Sequence, residues 1–307
     1  MHVLVLMSTY NGEKYLQAQI ESIMQQKDVN VRLLVRDDGS KDKTMDLLHS
    51  LSIKYPNLKY YQATNIGFVK SFNDLVSNAT QIEPKADYYA FVDQDDVWHT
   101  DKLKKAVAYL STVPWYKPNL FCSNSVLINS EGVKFGLYKT KRPYYTKGNT
   151  LIYPIIQGCS MVFNRKALDM YFSSMNDTAY HDRWMYHICT FLGNTYYEHE
   201  PLFDYRIHGN NVLGMKKKKT LFSYLSSLYK TVFVKRESIY YAWIQDFYGK
   251  FEKQLSNKDK DIIWTYLNYK QKLTCKFRLL FDKEYYPTER TKSNILFHIL
   301  HAIFNKL

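Results

Sequence analysis

The stretch 88–96, YYAFVDQDD, sets the strongest limit on what this chain can become. Five apolar residues, Tyr88 to Val92, run directly into Asp93, Asp95 and Asp96. That pattern predicts a buried strand that delivers a D-x-D-D cluster to its exposed C-terminal end. In open α/β sheets this edge is where ligands bind. Crowded carboxylates repel one another unless a cation sits between them, and hard divalent cations take oxygen ligands. The blander reading is an Asp-rich turn leading into the next helix, with Thr100 as its N-cap.

The surrounding pattern fits such a sheet. Apolar runs at 3–7, 31–35, 58–62 and 88–92 predict strands. Helical spacing follows each, over about 13–26, 42–54, 68–79 and 101–112. Four β–α units in a row imply an α/β fold with a mostly parallel central sheet and helices on both faces. After 115 the pattern changes. Strand pieces are predicted at 120–122, 126–128, 158–163 and 196–205, a loop at 132–150, and helices at 165–172 and 182–192. Beyond 215 the chain reads as helical, with segments near 220–255, 258–281 and 291–305.

Charge divides the chain unevenly. Residues 215–307 hold 19 Lys and Arg against 8 Asp and Glu, whereas residues 1–214 hold 23 against 21. A basic helical module over 215–307 therefore follows a nearly neutral domain over 1–214. Cys122, Cys159, Cys189 and Cys275 form no C-x-x-C pair and read as reduced thiols of a cytoplasmic protein. The start, MHVLVLMSTYNGEKY, predicts a strand rather than a signal peptide.

Three polar clusters should meet at one sheet edge: Ser8–Gly12 after the first strand, Asp37–Ser40 after the second, and Asp93–Asp96 after the fourth. A G-x-G-x-x-G or a P-loop is missing after the first strand, which disfavours dehydrogenases and P-loop NTPases. A nucleotidyltransferase would need a Gly/Lys-rich loop there. A nucleic-acid binder would suit the basic charge and the tyrosines, but no such motif occurs and the acidic cluster would repel phosphate.

The segments STYNGEKYL, RDDGSKDKT, NIGFVKSF, VDQDDVWHTDKL, GCSMVFNR, HDRW and YRIHGNNVLG occur in this order. In that order the chain resembles the inverting family-two glycosyltransferases of the GT-A fold, and within them rhamnosyltransferase-like members of bacterial surface polysaccharide synthesis. The resemblance covers about 1–214. It implies a nucleotide-sugar donor contacted by Thr9, Tyr10, Asn11, Asp37 or Asp38, Asn65, Gly67, Lys70, Asp93 and His208. It implies a Mg²⁺ or Mn²⁺ cofactor held by Asp93, Asp95 and His208, with Asp95 as the more direct ligand. It implies Asp182 as the general base, since an inverting transfer needs one carboxylate on the acceptor side. Gly158, Cys159, His181 and Trp184 are then expected on the acceptor side, Trp184 as a wall. The donor implied is dTDP-rhamnose, with a UDP-hexose as the alternative and a non-catalytic scaffold subunit as a reading of another class. The acceptor implied is a lipid-linked glycan.

The basic module carries two apolar stripes, Leu221, Phe222, Leu225, Leu228, Tyr229 and Val232, and Ile295, Leu296, Ile299, Leu300, Ile303 and Phe304. Basic amphipathic helices suit an anionic membrane surface. Internal packing or a homodimer would use the same stripes. A membrane role would make the protein peripheral at the inner face of the plasma membrane.

Overall fold

The computed structural model describes residues 1–153, 156–209, 239–287 and 292–303. The four expected β–α units are β1 (His2–Thr9), α1 (Leu16–Met24), β2 (Asn30–Asp37), α2 (Thr44–Lys54), β3 (Leu58–Gln62), α3 (Phe68–Ile82) and β4 (Tyr88–Val92), with a short β5 (Val97–Trp98) before α4 (Lys102–Leu110). β6 (Asn119–Ile128), β7 (Lys134–Leu137), β8 (Val162–Asn164), α6 (Arg165–Ser174), α7 (His181–Leu192) and β9 (Asn194–Arg206) complete the α/β part.

The sheet order is β3-β2-β1-β4-β8-β6-β9-β5, with β7 paired to β6. The pairs β3-β2, β2-β1 and β1-β4 are parallel, so their C-terminal ends share one edge. β8 enters antiparallel between β4 and β6. Val3, Val5 and Met7 pack with Leu16, Ile20 and Ile23 on one face, and α3 packs on β1. Phe72 of α3 meets Phe91 edge-on, with ring centroids 5.4 Å apart. Consecutive residues of β1 are buried, as expected for a strand covered on both faces.

The described residues form two compact units, one of 1–141 with 156–209, the other of 142–155 with 210–307. The segment 142–155 thus belongs with the C-terminal helices, although the charge break lies near 215. Within that second unit lie α5 (Lys147–Ile152), α8 (Ile239–Phe251), α9 (Asn257–Asn268), α10 (Leu273–Phe281) and α11 (Lys292–Ile303). Thr146 caps α5 in a capping box with Asn149. The Glu284 carboxylate accepts from the Gly148 N–H at 2.8 Å, and Lys147 pairs with the buried Asp259 at 2.8 Å. Trp243, Phe247, Ile263, Tyr266, Leu279 and Tyr285 give this unit its own core. No helix among the described residues is long and apolar enough to cross a membrane.

Local structure departs from expectation in three places. The loop expected over 132–150 contains β7 and the start of α5. The strand expected over 158–163 begins as one 3₁₀ turn, Gly158–Ser160. The helix expected over 258–281 breaks into α9 and α10. The stripe at 221–232, Phe304 and residues 210–214 of the last motif lie outside the described residues.

Candidate active site

The shared edge is stitched together by one side chain. Gln94 Oε1 accepts from Thr9 Oγ1 at 2.6 Å and from the Tyr10 N–H at 2.9 Å, while its Nε2 donates to Tyr10 O at 3.1 Å. The tips of β1 and β4 are thereby fixed to each other. Asn11 joins the tip of β1 to the loop after β2: its N–H donates to Ser40 Oγ at 2.8 Å and its Oδ1 accepts from the Lys41 N–H at 2.8 Å. Tyr10 is left 46% exposed above this frame.

Asp37 and Asp38 are both buried, and they do different work. Asp37 Oδ2 accepts from the N–H groups of Gly39 and Ser40 and from Gln62, and its Oδ1 accepts from Ser40 Oγ. This closes a turn whose Gly39 has φ +81, where a side chain would be strained. Asp38 Oδ1 accepts from Arg36 at 2.5 Å and from the Ile66 N–H at 2.9 Å, and its Oδ2 accepts from the Gly67 N–H at 3.0 Å. Asp38 therefore ties down the 65–67 loop, which leaves Asn65, Gly67 and Lys70 exposed at the edge. Arg36 is 2% exposed at the end of β2, and it also reaches Asp74 at 3.0 Å.

The acidic cluster follows. Asp95 Oδ2 lies 2.7 Å from His208 Nε2, so residues 113 positions apart in sequence meet directly. Arg206 secures the approach, with Nε donating to Asp95 O at 2.8 Å and its backbone N–H to Asp96 Oδ1 at 3.0 Å. The Arg206 guanidinium and the His208 ring both pack on Tyr15, at 4.6 and 5.1 Å. Asp96 is fully buried, and its Oδ2 has no hydrogen-bond partner among the described residues. Burial, then the charges of Asp95 and Asp182, push the Asp93 carboxyl up to about 7. Burial and the neighbours Asp95 and Asp93 raise Asp96 well above the usual carboxylate range.

Burial and mutual repulsion thus make Asp93 and Asp96 easier to protonate than in water, and a bound cation would relieve that repulsion. Ligand atoms of Asp93, Asp96 and Cys159 come within 4.8 Å of one another. Burial holds the Cys159 thiol far above its ordinary pKa, so it stays protonated. A protonated thiol is a poor partner for a hard cation. The oxygen ligands this trio offers a divalent ion are therefore Asp93 and Asp96, with Asp95 held beside it against His208.

Asp182 sits in the first turn of α7, and its Oδ1 accepts from the Arg183 N–H at 2.7 Å. Its charge is among those that lift Asp93, so the carboxylates after β4 and at the start of α7 sense each other. Gly158 makes room for it. A Cβ on Gly158 would lie 3.0 Å from Asp182 Cβ and 3.1 Å from His181 Nε2. Two expected acceptor contacts are corrected. Trp184 is 1% exposed and donates from Nε1 to Ser174 Oγ at 3.1 Å, so it is a core residue and no acceptor wall. His181 is buried, stacked on Phe72 at 3.7 Å, and burial drives its pKa down to about 4. It supports Asp182 from inside as a neutral ring. Cys159 is likewise buried and underlies the site.

Sequence reasoning missed Lys102. It is fully buried, donates from Nζ to Cys159 O at 2.6 Å, and lies 3.6 Å from the centroid of the Trp98 ring. Burial lowers its pKa to about 7, against the pull of Asp96 and Asp93. Gln94, Arg36, Arg206 and Tyr15 were missed as well. Arg36 carried a signal: a charged residue beside the end of an apolar strand needs a buried partner, and two aspartates follow it.

Residues 4–172 match the family model of glycosyl transferase family 2. The chain belongs to that family. It is 28% identical over 219 residues to a dTDP-rhamnosyl transferase, RfbG, of Shigella flexneri, a match covering 68% of this chain and 73% of that one. An uncharacterized glycosyltransferase of a Nostoc species is 27% identical over 221 residues, covering 69% of this chain and 66% of that one. Among solved structures, the fold is similar to S. aureus TarS 1-349 in complex with UDP-GlcNAc, with TM-score 0.55 at 16% identity over 98% of this chain and 90% of that one. It is also similar to a mannosyltransferase of Pyrobaculum calidifontis in complex with GDP-Man and Mn²⁺, with TM-score 0.55 at 14% identity over 99% and 86%. The α/β architecture is that of the GT-A glycosyltransferases.

Proposed function

We propose that this glycosyltransferase moves L-rhamnose from dTDP-rhamnose, with inversion, to a hydroxyl of a lipid-linked glycan at the inner face of the plasma membrane. The rhamnosyl donor is supported by the activity that names the Shigella relative. The reaction class is supported by one arrangement: Asp93 and Asp95 follow β4, Asp95 meets His208, and the charge of Asp182 in the first turn of α7 is felt at Asp93. That is a diphosphate-binding side and a base brought together from distant parts of the chain.

The ring of Tyr10 and the Thr9 backbone form the bed for the base. Asp38 accepts three hydrogen bonds and Asp37 four, so Asp38 keeps the more acceptor capacity for a pyrimidine N–H. Asp93, Asp95 and His208 would hold Mg²⁺ or Mn²⁺, which supplies positive charge to the departing diphosphate. Asp182 takes the proton of the acceptor hydroxyl as its oxygen attacks the anomeric carbon opposite the leaving group. A single carboxylate serves this displacement, in contrast to the paired carboxylates of glycosidases.

The test is a panel of dTDP-, UDP- and GDP-sugars assayed for nucleotide release and transfer, with and without EDTA. Release from dTDP-rhamnose above all others, lost in EDTA and restored by Mn²⁺, is expected. Full activity in EDTA would refute the metal, and a preference for a UDP-hexose would refute the donor. Asp182→Asn should bind donor normally and lose transfer by roughly 10²–10⁴-fold, the usual value of a general base.

A further inference from the structure

Helix α10 is apolar on two opposite sides. Cys275 and Leu279 are 2% and 0% exposed and face the core of the second unit. Leu273, Phe277 and Phe281 recur every fourth residue on the other side and are 71%, 58% and 68% exposed. Phe277 and Phe281 lie nearly parallel, with centroids 6.1 Å apart, so they form one continuous ridge. Scattered exposed apolar residues are ordinary, whereas a row of three large ones marks a surface that meets something.

The charges around the ridge say what it meets. Between 270 and 281 the chain carries Lys270, Lys272, Lys276 and Arg278 and no acidic residue. Arg278 is occupied by Asp261, in two bonds of 2.9 and 2.7 Å. Lys272 Nζ lies 4.4 Å from the centroid of Trp264, which is itself 39% exposed. Lys276 Nζ lies 3.4 Å from Ile303 O, which sets a second exposed apolar residue, Ile303, beside the ridge. Leucine, phenylalanine and tryptophan edged by ammonium groups match a lipid interface with anionic headgroups. A second copy docked through the same ridge would bring like charges together, and lysine is depleted from protein–protein contacts.

We infer that the Leu273–Phe277–Phe281 ridge of α10, edged by Lys272, Lys276 and Trp264, seats this enzyme in an anionic membrane surface. The inference rests on the membrane placement proposed above and assigns it to this helix. The apolar side chains enter the boundary between headgroups and acyl chains, and the lysines stay with the phosphates. The stripe on α11 is secondary, since Ile295, Ile299 and Leu300 are already half-buried.

The test is co-sedimentation of the full chain with phosphatidylcholine vesicles, with or without phosphatidylglycerol. Wild type should bind the anionic vesicles and release at high salt. Phe277→Ser with Phe281→Ser should weaken the partition by about tenfold per phenylalanine, from the apolar area no longer buried. Lys272→Glu with Lys276→Glu should weaken it by about fivefold or more per residue on anionic vesicles only. Both variants should keep the wild-type melting temperature and rate of donor hydrolysis in solution, which separates a docking role from a folding role. Equal binding by wild type and the serine variant would overturn the ridge and leave the membrane placement standing. No binding by wild type to either vesicle would overturn both. A wild-type dimer in sedimentation analysis that the serine variant loses would make the ridge a contact between copies, and the inference would fail.

Discussion

At the scale of single residues, the site is built from side chains forced into charge states they would not choose in water. His181 is the clearest case for a pH measurement. Its folded pKa, about 4, lies below the ordinary 6.5, because burial penalises the imidazolium. The unfolded chain therefore binds the proton first. Above pH 6.5 both states are neutral and the full stability is present. As pH falls from 6.5 towards 4 the unfolded state is favoured, up to about 3 kcal/mol at the low end. Replacing His181 with Phe, which keeps a ring on Phe72, should flatten the dependence of melting temperature on pH in that window. A slope unchanged from wild type would show that other groups cause the acid sensitivity. Asp95 offers the complementary measurement. Asp95→Asn keeps a partner for His208 but removes the charge, so Mn²⁺ should raise the melting temperature of wild type and leave that of the variant unchanged.

At the scale of elements, the 3₁₀ turn 158–160 and α4 are the informative pair. Lys102 runs from the first turn of α4 to the carbonyl of Cys159, and Gly158 beside it touches Asp182. The helix that follows the acidic cluster thus holds the turn beside Asp182. Lys102→Met removes the charge at similar volume but leaves the Cys159 carbonyl without its donor and the buried Asp96 and Asp93 without a nearby cation, which costs stability. We expect a lower melting temperature, unchanged donor binding, and kcat lower by roughly 10²-fold in the folded variant, the scale of a misplaced catalytic group. Unchanged kcat would reduce the Lys102 bond to scaffolding. The same elements indicate how much was legible beforehand. The four β–α units were readable because apolar periodicity and burial agree along 1–112. The acidic cluster was readable because a buried strand that runs into three carboxylates delivers them to the sheet edge. The 3₁₀ turn was not, since Gly-Cys-Ser-Met-Val-Phe reads equally well as strand. Trp184 and His181 were misplaced because a motif fixes spacing along a helix and leaves open which face is buried. The break between α9 and α10 was hidden because Tyr269 to Lys272 lack proline or glycine.

At the scale of the whole molecule, the charge break near 215 and the structural break differ, because 142–155 packs with residues far downstream. Leu151 is 1% exposed, and the Gly148 N–H and Lys147 are held by Glu284 and Asp259. A chain ending at residue 214 keeps this segment and loses these partners. It should be less soluble than the full chain and be cut by trypsin after Lys147, which the full chain holds in an ion pair with Asp259. Equal resistance of the two chains would contradict this dependence. It also has a direction in time. The strands of the first unit all lie before residue 209. Glu284 is translated about 130 residues after α5. At ordinary rates of synthesis that gap lasts roughly 7–26 s. For the last 78 residues of that gap, from the end of β9 at Arg206 to Glu284, roughly 4–16 s, a finished sheet carries a segment whose partners are not yet made, so the exposure of each newborn molecule to chaperones and neighbours is decided by fourteen residues.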